Sequence, residues 1–545
     1  MAIFSDHSKR LVHWTDLVFF AAVLLFAFFA VRGSLVISAE GTIIDSDLAT
    51  YAEGMAGAAH PELFALDPML QRHTEANSIR NLERMLAEIF VQEDGFAPGL
   101  IQASGVILVF FFLSWYVFGR WLLGRRDFAL LLLLAVSITV WVGFGTFWGI
   151  THSDPVPRVF HAAFFPWMLM LAILGWDRAL LRPLVMLLAG LGMWLHGVSA
   201  LNCGAMFFVA FFFHRPKALS CSAHFLLCLI SLLAFFAPVL IFLWPTLTFG
   251  RIFTAHELAV FHDLFVLRWH EDYGNITGSL LALITPNNPV AWLLYGGFVA
   301  SIIVRFLPYA RAAVLARMLP FFVLALTCVV VFSLLESHYV QQHGRVPMGH
   351  ELVRGVKFLI PLAWISIVTV FAFVLSRLPR AFASVFVLCA FLTVVLLTKD
   401  RQLLAAESAF TASTGITLPL TARAQKLQKS AEEAREAIEQ IKKTVPAGEA
   451  VFCLEDCMMA VRYMALRPLV YSFKDGFAHY YSKDVEQARD WLGYARLTME
   501  GREGIRKAFL QSQAPWYLCP KAEAPLTEEM HKVWENAAWS LWKRP

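Results

Sequence analysis

The sequence predicts a membrane protein with an all-α, polytopic bundle of about 11 transmembrane helices and a C-terminal extracytoplasmic α/β domain. Of its 545 residues, 58% are hydrophobic, only 16% are charged and 48 are phenylalanine, a composition outside the range of soluble domains. Apolar runs long enough to cross roughly 30 Å of hydrocarbon as helices recur through the first three-quarters of the chain.

The predicted membrane domain covers residues 1–398 and includes a polar external loop at 39–100. The predicted spans are 17–37, 101–123, 128–150, 160–175, 184–200, 203–213, 223–244, 290–306, 319–335, 355–375 and 381–397. The fifth and sixth spans form one nearly continuous apolar run that is too long for one upright helix. We therefore expect the residues at 202–204 to turn this run back as a hairpin.

This hairpin brings every basic cluster to one face of the membrane, which the positive-inside rule makes cytoplasmic. The clusters are Lys9/Arg10, Arg120/Arg125/Arg126, Arg178/Arg182, Arg215/Lys217, Arg305/Arg311/Arg317 and Arg377/Arg380. The loops at 39–100, 245–289 and 336–354 then lie outside, together with the tail at 399–545. The net charge of +4 resides in these clusters and gives no reason to expect a nucleic-acid partner. The first span has no convincing cleavage site, so we interpret it as an uncleaved anchor in a bacterial inner membrane.

The tail is predicted to begin with an amphipathic helix at 422–443 and to continue as a small α/β domain. Its predicted strands are 450–454, 469–473 and 516–519, and its predicted helices are 485–498 and 527–540. Cys453, Cys457 and Cys519 leave a disulfide and free thiols equally open. No glycine-rich phosphate loop or nucleophile elbow occurs in the tail, so we expect it to gate substrate or dock a partner.

The motif Asp47-x-x-x-Tyr51-Ala52-x-x-Met55, just after the first span, resembles the Asp-x-x-x-Tyr-Ala stretch of protein O-mannosyltransferases and bacterial aminoarabinose transferases. Those enzymes belong to the GT-C superfamily of integral membrane glycosyltransferases. The resemblance implies that Asp47 is the catalytic base, with Asp45 second, and that Tyr51 helps to bind substrate. It also implies a polyprenyl-phosphate sugar donor. The tail segments at 445–448, 465–470 and 473–475 are similar to tails of the same superfamily.

The alternative role for these aspartates is structural, because Asp45, Ser46 or Asp47 would each make a good N-cap for a helix at 48–58. Asp45 and Asp47 point roughly 200° apart on a helix, so at most one of them faces a given pocket. One carboxylate is enough for a general base. Base and cap are compatible roles for the pair.

A leaving phosphate needs cations on the same external face. The candidates are Arg158, Arg251, Arg268, Arg354 and Lys357, together with His161. Arg354 and Lys357 are three residues apart at the start of a span, and Glu351 can orient Arg354 at the same spacing. The alternative is that both cations extend to lipid head groups.

A divalent cation is not required by this chemistry but is left open as an alternative. His343, His350 and Glu351 would then ligate it beside Asp45 or Asp47. No His-x-x-x-His or other dense ligand array strengthens this metal prediction.

Taken together, the sequence predicts a glycosyltransferase that moves a sugar from a polyprenyl-phosphate donor to an envelope glycan, lipid or protein on the extracytoplasmic face. Its partners would be that donor, the acceptor and membrane lipids. A transporter or flippase of lipid-linked glycans is the first alternative class, and it predicts charges deep in several helices or internal repeats. A non-catalytic membrane scaffold is the second.

Overall fold

The computed structural model describes residues 13–70, 81–138, 157–248, 253–273, 276–343, 347, 349–397, 401–482, 484–523 and 525–545. The helices up to the tail are α1 Trp14–Ile37, α2 Ser46–Ala59, α3 Asn81–Glu88, α4 Phe96–Leu123, α5 Arg126–Ile138, α6 Pro157–Asp177, α7 Arg182–Leu191, α8 Met193–Phe213, α9 Cys221–Thr248, α10 Ala255–Tyr273, α11 Ile276–Ile284, α12 Pro289–Val304, α13 Ala310–Gln342, α14 Leu359–Leu375 and α15 Arg380–Leu397. A 3-10 helix, His350–Phe358, leads directly into α14.

The tail contains α16 Arg401–Thr414, α17 Thr421–Thr444, α18 Ala460–Tyr463, α19 Asp475–Ser482, α20 Val485–Met499, α21 Arg502–Ser512, β1 Val451–Phe452, β2 Trp516–Pro520, β3 His531–Glu535 and β4 Trp539–Lys543.

Within the described residues, seven helices are long and apolar enough to cross a membrane. They are α1, α4, α6, α8, α9, α13 and α14 extended by its 3-10 turn, and α11 with α12 makes an eighth if this pair, bent by 57°, counts as one span. The protein is therefore a mostly helical integral membrane protein. The predicted count of about 11 spans is not confirmed: the prediction at 128–150 runs into residues outside the description, and the described apolar parts of α7 and α15 are shorter.

The predicted hairpin at 184–213 is present. Arg182, at the start of α7, is fully buried and donates from Nη1 to the backbone carbonyl of Phe211 near the end of α8, at 3.1 Å. The two helices are therefore antiparallel neighbours, and α7 also packs closely against α9.

The turn of this hairpin lies earlier than the predicted position at 202–204, which is inside α8. The helix breaks at Gly192 and loses helical geometry at His196. The His196 ring then caps the helix that follows, because its Nδ1 accepts a hydrogen bond from the Ser199 backbone N–H at 3.1 Å. Asn202 does not break the helix, and its side-chain Nδ2 donates to the Val198 carbonyl one turn earlier at 2.9 Å.

Basic residues gather at the end of the bundle where α1 begins. Asp16, in the first turn of α1, accepts a hydrogen bond from Arg126 Nε at 3.0 Å. Arg311 donates to the carbonyl of Trp121 in the last turn of α4, at this same end. Since α1 and α4 are antiparallel neighbours, the loop at 39–100 lies at the opposite end of the bundle.

The tail begins with α16, which packs along α1 through a close contact at Gly33. A Cβ at this position would lie 1.8 Å from the carbonyl oxygen of Ala405. We expect Gly33→Ala to force the two helices apart and to lower the free energy of unfolding by about 1–3 kcal/mol. Thermal unfolding of the purified protein in detergent measures this change.

The matched control for Gly33 is Gly493 in α20, where an added Cβ would meet no atom within 4 Å. Because alanine is the better helix former, Gly493→Ala should stabilise the protein by about 0.5–1 kcal/mol. Equal effects of the two substitutions would contradict the close packing of α1 on α16.

The tail sheet has the strand order β1-β2-β4-β3, in which β1 is parallel to β2 and the other pairs are antiparallel. The strand predicted at 469–473 is wrong, since this segment makes only a single bridge, between Leu469 and Val451. The helices predicted at 422–443 and 485–498 are present as α17 and α20.

The helix predicted at 527–540 is also wrong, because this segment forms β3 and β4. Asn536 makes the turn between them, accepting hydrogen bonds through Oδ1 from the backbone N–H groups of Ala538 at 2.9 Å and Trp539 at 2.8 Å. β4 then pairs along the whole of β2. Helix-like spacing of apolar residues in this segment is outweighed by strand pairing with a distant partner.

Cys453 and Cys519 are buried thiols, and neither takes part in a disulfide. The Cys457 side chain lies outside the described part of the structure.

The tail packs onto the loop at 39–100 and onto neighbouring segments at the same end of the bundle. The Tyr463 hydroxyl donates to the carbonyls of Gly41 and Thr42 at 3.2 and 3.1 Å. The Tyr480 hydroxyl donates to the Pro347 carbonyl at 2.9 Å, and α20 packs against α10. The tail and these segments therefore lie together at the end of the bundle opposite to the basic clusters around Arg126 and Arg311.

Candidate active site

The loop at 39–100 presents two aspartates where α2 begins. Asp45 is the N-cap of this helix, and its Oδ1 accepts a hydrogen bond from the Asp47 backbone N–H at 2.9 Å. This contact satisfies one of the N–H groups that a helix start leaves without an intrahelical partner. Asp45 therefore fills the N-cap role that the sequence left open among Asp45, Ser46 and Asp47.

The Asp47 carboxylate lies between two cations from distant parts of the chain. Arg158, in the first turn of α6, donates from Nη1 to Oδ2 at 2.9 Å. Lys474, just before α19, donates from Nζ to Oδ1 at 2.8 Å. The Asp47 side chain is only 18% exposed. Each carboxylate oxygen thus receives a charge-assisted hydrogen bond in a partly dehydrated setting, where such bonds are strong.

Two further predicted cations belong to the same region as Arg158. Arg354 and Lys357, on the 3-10 helix before α14, are both buried, and Lys357 is only 2% exposed. Arg158 and Arg354 both act electrostatically on the Lys357 ammonium. Glu351 lies 3.3 Å from Arg354, as the predicted pairing requires. Three of the predicted phosphate-binding residues therefore lie close to one another, and one of them, Arg158, binds the predicted base.

Buried polar atoms in this region lack partners within the described residues. Arg158 uses Nη1 on Asp47, but its Nε has no hydrogen-bond partner there. His161, one turn further along α6, is fully buried beside Lys357, and neither of its ring nitrogens has one. Since buried polar atoms are nearly always hydrogen-bonded in native proteins, these atoms suit a polar, anionic ligand.

Two further predicted residues border the same region. Tyr51 lies one turn after Asp47 on α2 and packs against apolar residues of both the membrane domain and the tail. The guanidinium carbon of Arg268, on α10, lies 5.1 Å from the ring centre of Phe473, the neighbour of Lys474. Arg251 lies outside the described residues.

The side chains around Asp47 give little support for the alternative of a bound divalent cation. Within the described part of the chain, no three His, Cys, Asp or Glu side chains form a group that could hold a metal. The exposed His343 ring donates instead to the carbonyl of Tyr339 at 2.7 Å, and the His350 side chain is outside the description. Asp47 faces two cations, which favours anions over a metal ion in the same place.

A second, fully buried charge cluster fixes the tail to the loop. Arg462, from α18, donates two hydrogen bonds to Asp67 at 2.7 and 3.1 Å and two to Asp475 at 2.8 Å. It also donates to Glu53 at 3.2 Å. We call Arg462, Glu53, Asp67 and Asp475 the Arg462 cluster. Two of its carboxylates come from the loop at 39–100 and one from the tail, so the cluster joins the two.

Lys474 is the residue of this site that sequence reasoning missed. The sequence offered one signal, the Phe473-Lys474-Asp475 segment that resembles tails of the GT-C superfamily. Nothing in the local sequence shows that a tail lysine reaches the loop at 39–100, because this contact depends on how the tail packs against the loop.

No protein-family model matches this chain, and no curated protein matches it. Among solved structures, the chain is similar to the oligosaccharyltransferase of Archaeoglobus fulgidus, described as a complex with Zn and sulfate. The TM-score is 0.44 at 11% sequence identity, over 91% of this chain and 68% of that one.

Proposed function

We propose that the protein is an integral membrane glycosyltransferase that moves a sugar from a polyprenyl-phosphate donor to a cell-envelope glycan, lipid or protein. The observation that carries this proposal is the carboxylate of Asp47 bound to Arg158, which lies close to the buried cation Lys357 and, through it, to Arg354. A transferase of this kind needs a base for the acceptor and positive charge for the departing phosphate.

In the proposed reaction, the acceptor hydroxyl or amine attacks the anomeric carbon and gives its proton to Asp47. The bond between that carbon and the phosphate oxygen breaks, and the phosphate leaves with the electron pair. Arg354 and Lys357 stabilise the negative charge that develops on this oxygen. Direct displacement by the acceptor inverts the anomeric carbon.

Arg158 connects the base with the phosphate in this mechanism. In the free protein its Nη1 binds Asp47, while its Nε lacks a partner among the described residues. An arriving phosphate matches the forked guanidinium better than a single carboxylate oxygen does, since it offers several acceptor oxygens. Arg158 then turns towards the phosphate and leaves Oδ2 of Asp47 ready to accept the proton.

The position of the site supports a lipid-borne donor acting on the extracytoplasmic side. Arg158 and His161 lie in the first two turns of α6, and Lys357 lies just before α14, so the cations stand at one end of membrane-crossing helices. The basic cluster around Arg126 lies at the other end, which the positive-inside rule places in the cytoplasm. A phosphate at the head of a membrane lipid would reach these cations from the outer leaflet.

The test replaces Asp47 with asparagine in the native host, after membrane expression is shown to be normal. Asparagine cannot take the proton, so we expect the variant to lose the same sugar from envelope glycans, lipids or proteins as a deletion strain loses. Mass spectrometry of these fractions detects the missing sugar and identifies it.

Asp45→Asn is the matched control, because asparagine caps helices as well as aspartate does and should leave transfer unchanged. If Asp47→Asn keeps the modification that the deletion strain lacks, Asp47 is not the base. If Asp47→Asn is active while Arg158→Ala is inactive, a transporter of lipid-linked glycans explains the protein better than a glycosyltransferase does.

A further inference from the structure

Two consecutive tail residues take part in the contacts that join the tail to the loop at 39–100. Lys474 binds Asp47 at the candidate site, and Asp475 binds Arg462 in the fully buried cluster that also holds Glu53 and Asp67. Lys474 is therefore bound directly to this loop, and Asp475 is joined to it through Arg462.

The backbone around Lys474 is fixed by further contacts. Its N–H donates to Ser472 Oγ at 3.2 Å, and the Ser472 N–H donates to Asp475 at 3.1 Å. The Trp491 indole, from α20, donates to the Ser472 carbonyl at 2.9 Å. A lysine side chain is flexible, so a fixed backbone on one side and a carboxylate on the other are what define the position of its ammonium.

We propose that Lys474 is a positioning residue for Asp47, and that the tail thereby forms part of the transferase site. The inference rests on the proposed function. Lys474 binds Oδ1 and Arg158 binds Oδ2, so when Arg158 turns to the donor phosphate, Lys474 still holds the carboxylate. Oδ2 then faces the acceptor in a fixed orientation, which a base needs because misplacement by about 1 Å can cost roughly 100-fold in rate.

The contact itself can be tested without any substrate. A water-soluble carbodiimide activates a carboxylate, and a neighbouring amine then displaces the urea, forming an amide bond between Asp47 Cγ and Lys474 Nζ. We expect mass spectrometry of the digested full-length protein to detect this cross-link. It should vanish in Lys474→Arg, because a guanidinium does not couple.

The exposed pair Lys532–Glu535, with Nζ and Oε2 2.6 Å apart, is the internal control that should couple in every variant. If this pair couples in the wild-type protein and Asp47 with Lys474 does not, the proposed contact is overturned.

The role in transfer is tested by the initial rate of sugar incorporation in host membranes. We expect Lys474→Met to lower this rate about 100-fold, Lys474→Arg to restore much of it and Lys532→Met to match the wild-type protein. Unfolding temperatures of the Lys474 variants should stay close to the wild-type value, which separates positioning from a structural role.

Wild-type incorporation by Lys474→Met, while Asp47→Asn is inactive, would overturn this inference and leave the proposed function intact. Full activity of both variants would overturn the proposed function as well. A lower unfolding temperature in both Lys474 variants, without rescue by arginine, would assign the lysine to folding instead.

Discussion

Arg462→Met is expected to lower the free energy of unfolding by about 3–5 kcal/mol, because it leaves buried carboxylates without their cation. Arg462 and its partners Glu53 and Asp67 are fully buried, and Asp475 nearly so. Methionine fills much of the volume but donates no hydrogen bond. Denaturant unfolding of the purified protein in detergent, followed by tail tryptophan fluorescence, measures the loss.

Arg496→Met is the matched control. Arg496 is 60% exposed and pairs with Asp263 at 2.8 Å, so the loss of this pair should cost about 1 kcal/mol or less.

Arg462→Met should also abolish the carbodiimide cross-link between Asp47 and Lys474, because the tail loses its anchor on the loop. A variant with wild-type stability and an intact cross-link would show that the Arg462 cluster does not hold the tail in place.

The part of the candidate site that could be predicted from sequence is the part that local spacing determines. Arg354 and Glu351 are three residues apart on one helical turn, so short-range geometry was enough to select them. Asp47 was selected by the resemblance of the motif that follows the first span. Arg158 was selected as an external cation, although its direct bond to Asp47 was not anticipated. Lys474 required knowledge of tail docking, which depends on buried contacts between residues hundreds of positions apart.

The same limit explains the errors in the fold. The apolar run at 184–213 was correctly predicted to fold back, since its length exceeds one span. Its turn was misplaced because Asn202 donates to a backbone carbonyl within α8 and does not break the helix, while His196 acts as a helix cap, a role that histidine seldom signals in sequence. The segment at 527–540 became two strands because β2 offers a partner that no local pattern reveals.

Protonation of Glu53 is expected to make the stability of the protein depend on pH. Burial raises the pKa of Glu53 well above its usual value, and Asp475 and Asp67 raise it further, against the lowering effect of Arg462. The folded protein therefore keeps a proton that the unfolded chain releases above about pH 4.3. The stability due to this proton is complete below that pH and is lost as the pH rises through the pKa of the folded state, at about 1.4 kcal/mol per pH unit.

Glu53→Gln removes this titration but keeps an oxygen that accepts the hydrogen bond from Arg462, so its stability should change less steeply with pH. Other buried groups titrate as well: burial raises the pKa of Asp67 and lowers the pKa of His479. Both are present in the variant, so the difference between the wild-type and variant unfolding free energies, measured from pH 5 to 8, isolates Glu53. That difference should shift in favour of the variant as the pH rises. A constant difference across this range would mean that Glu53 is ionised throughout, and that Arg462 alone balances three buried negative charges.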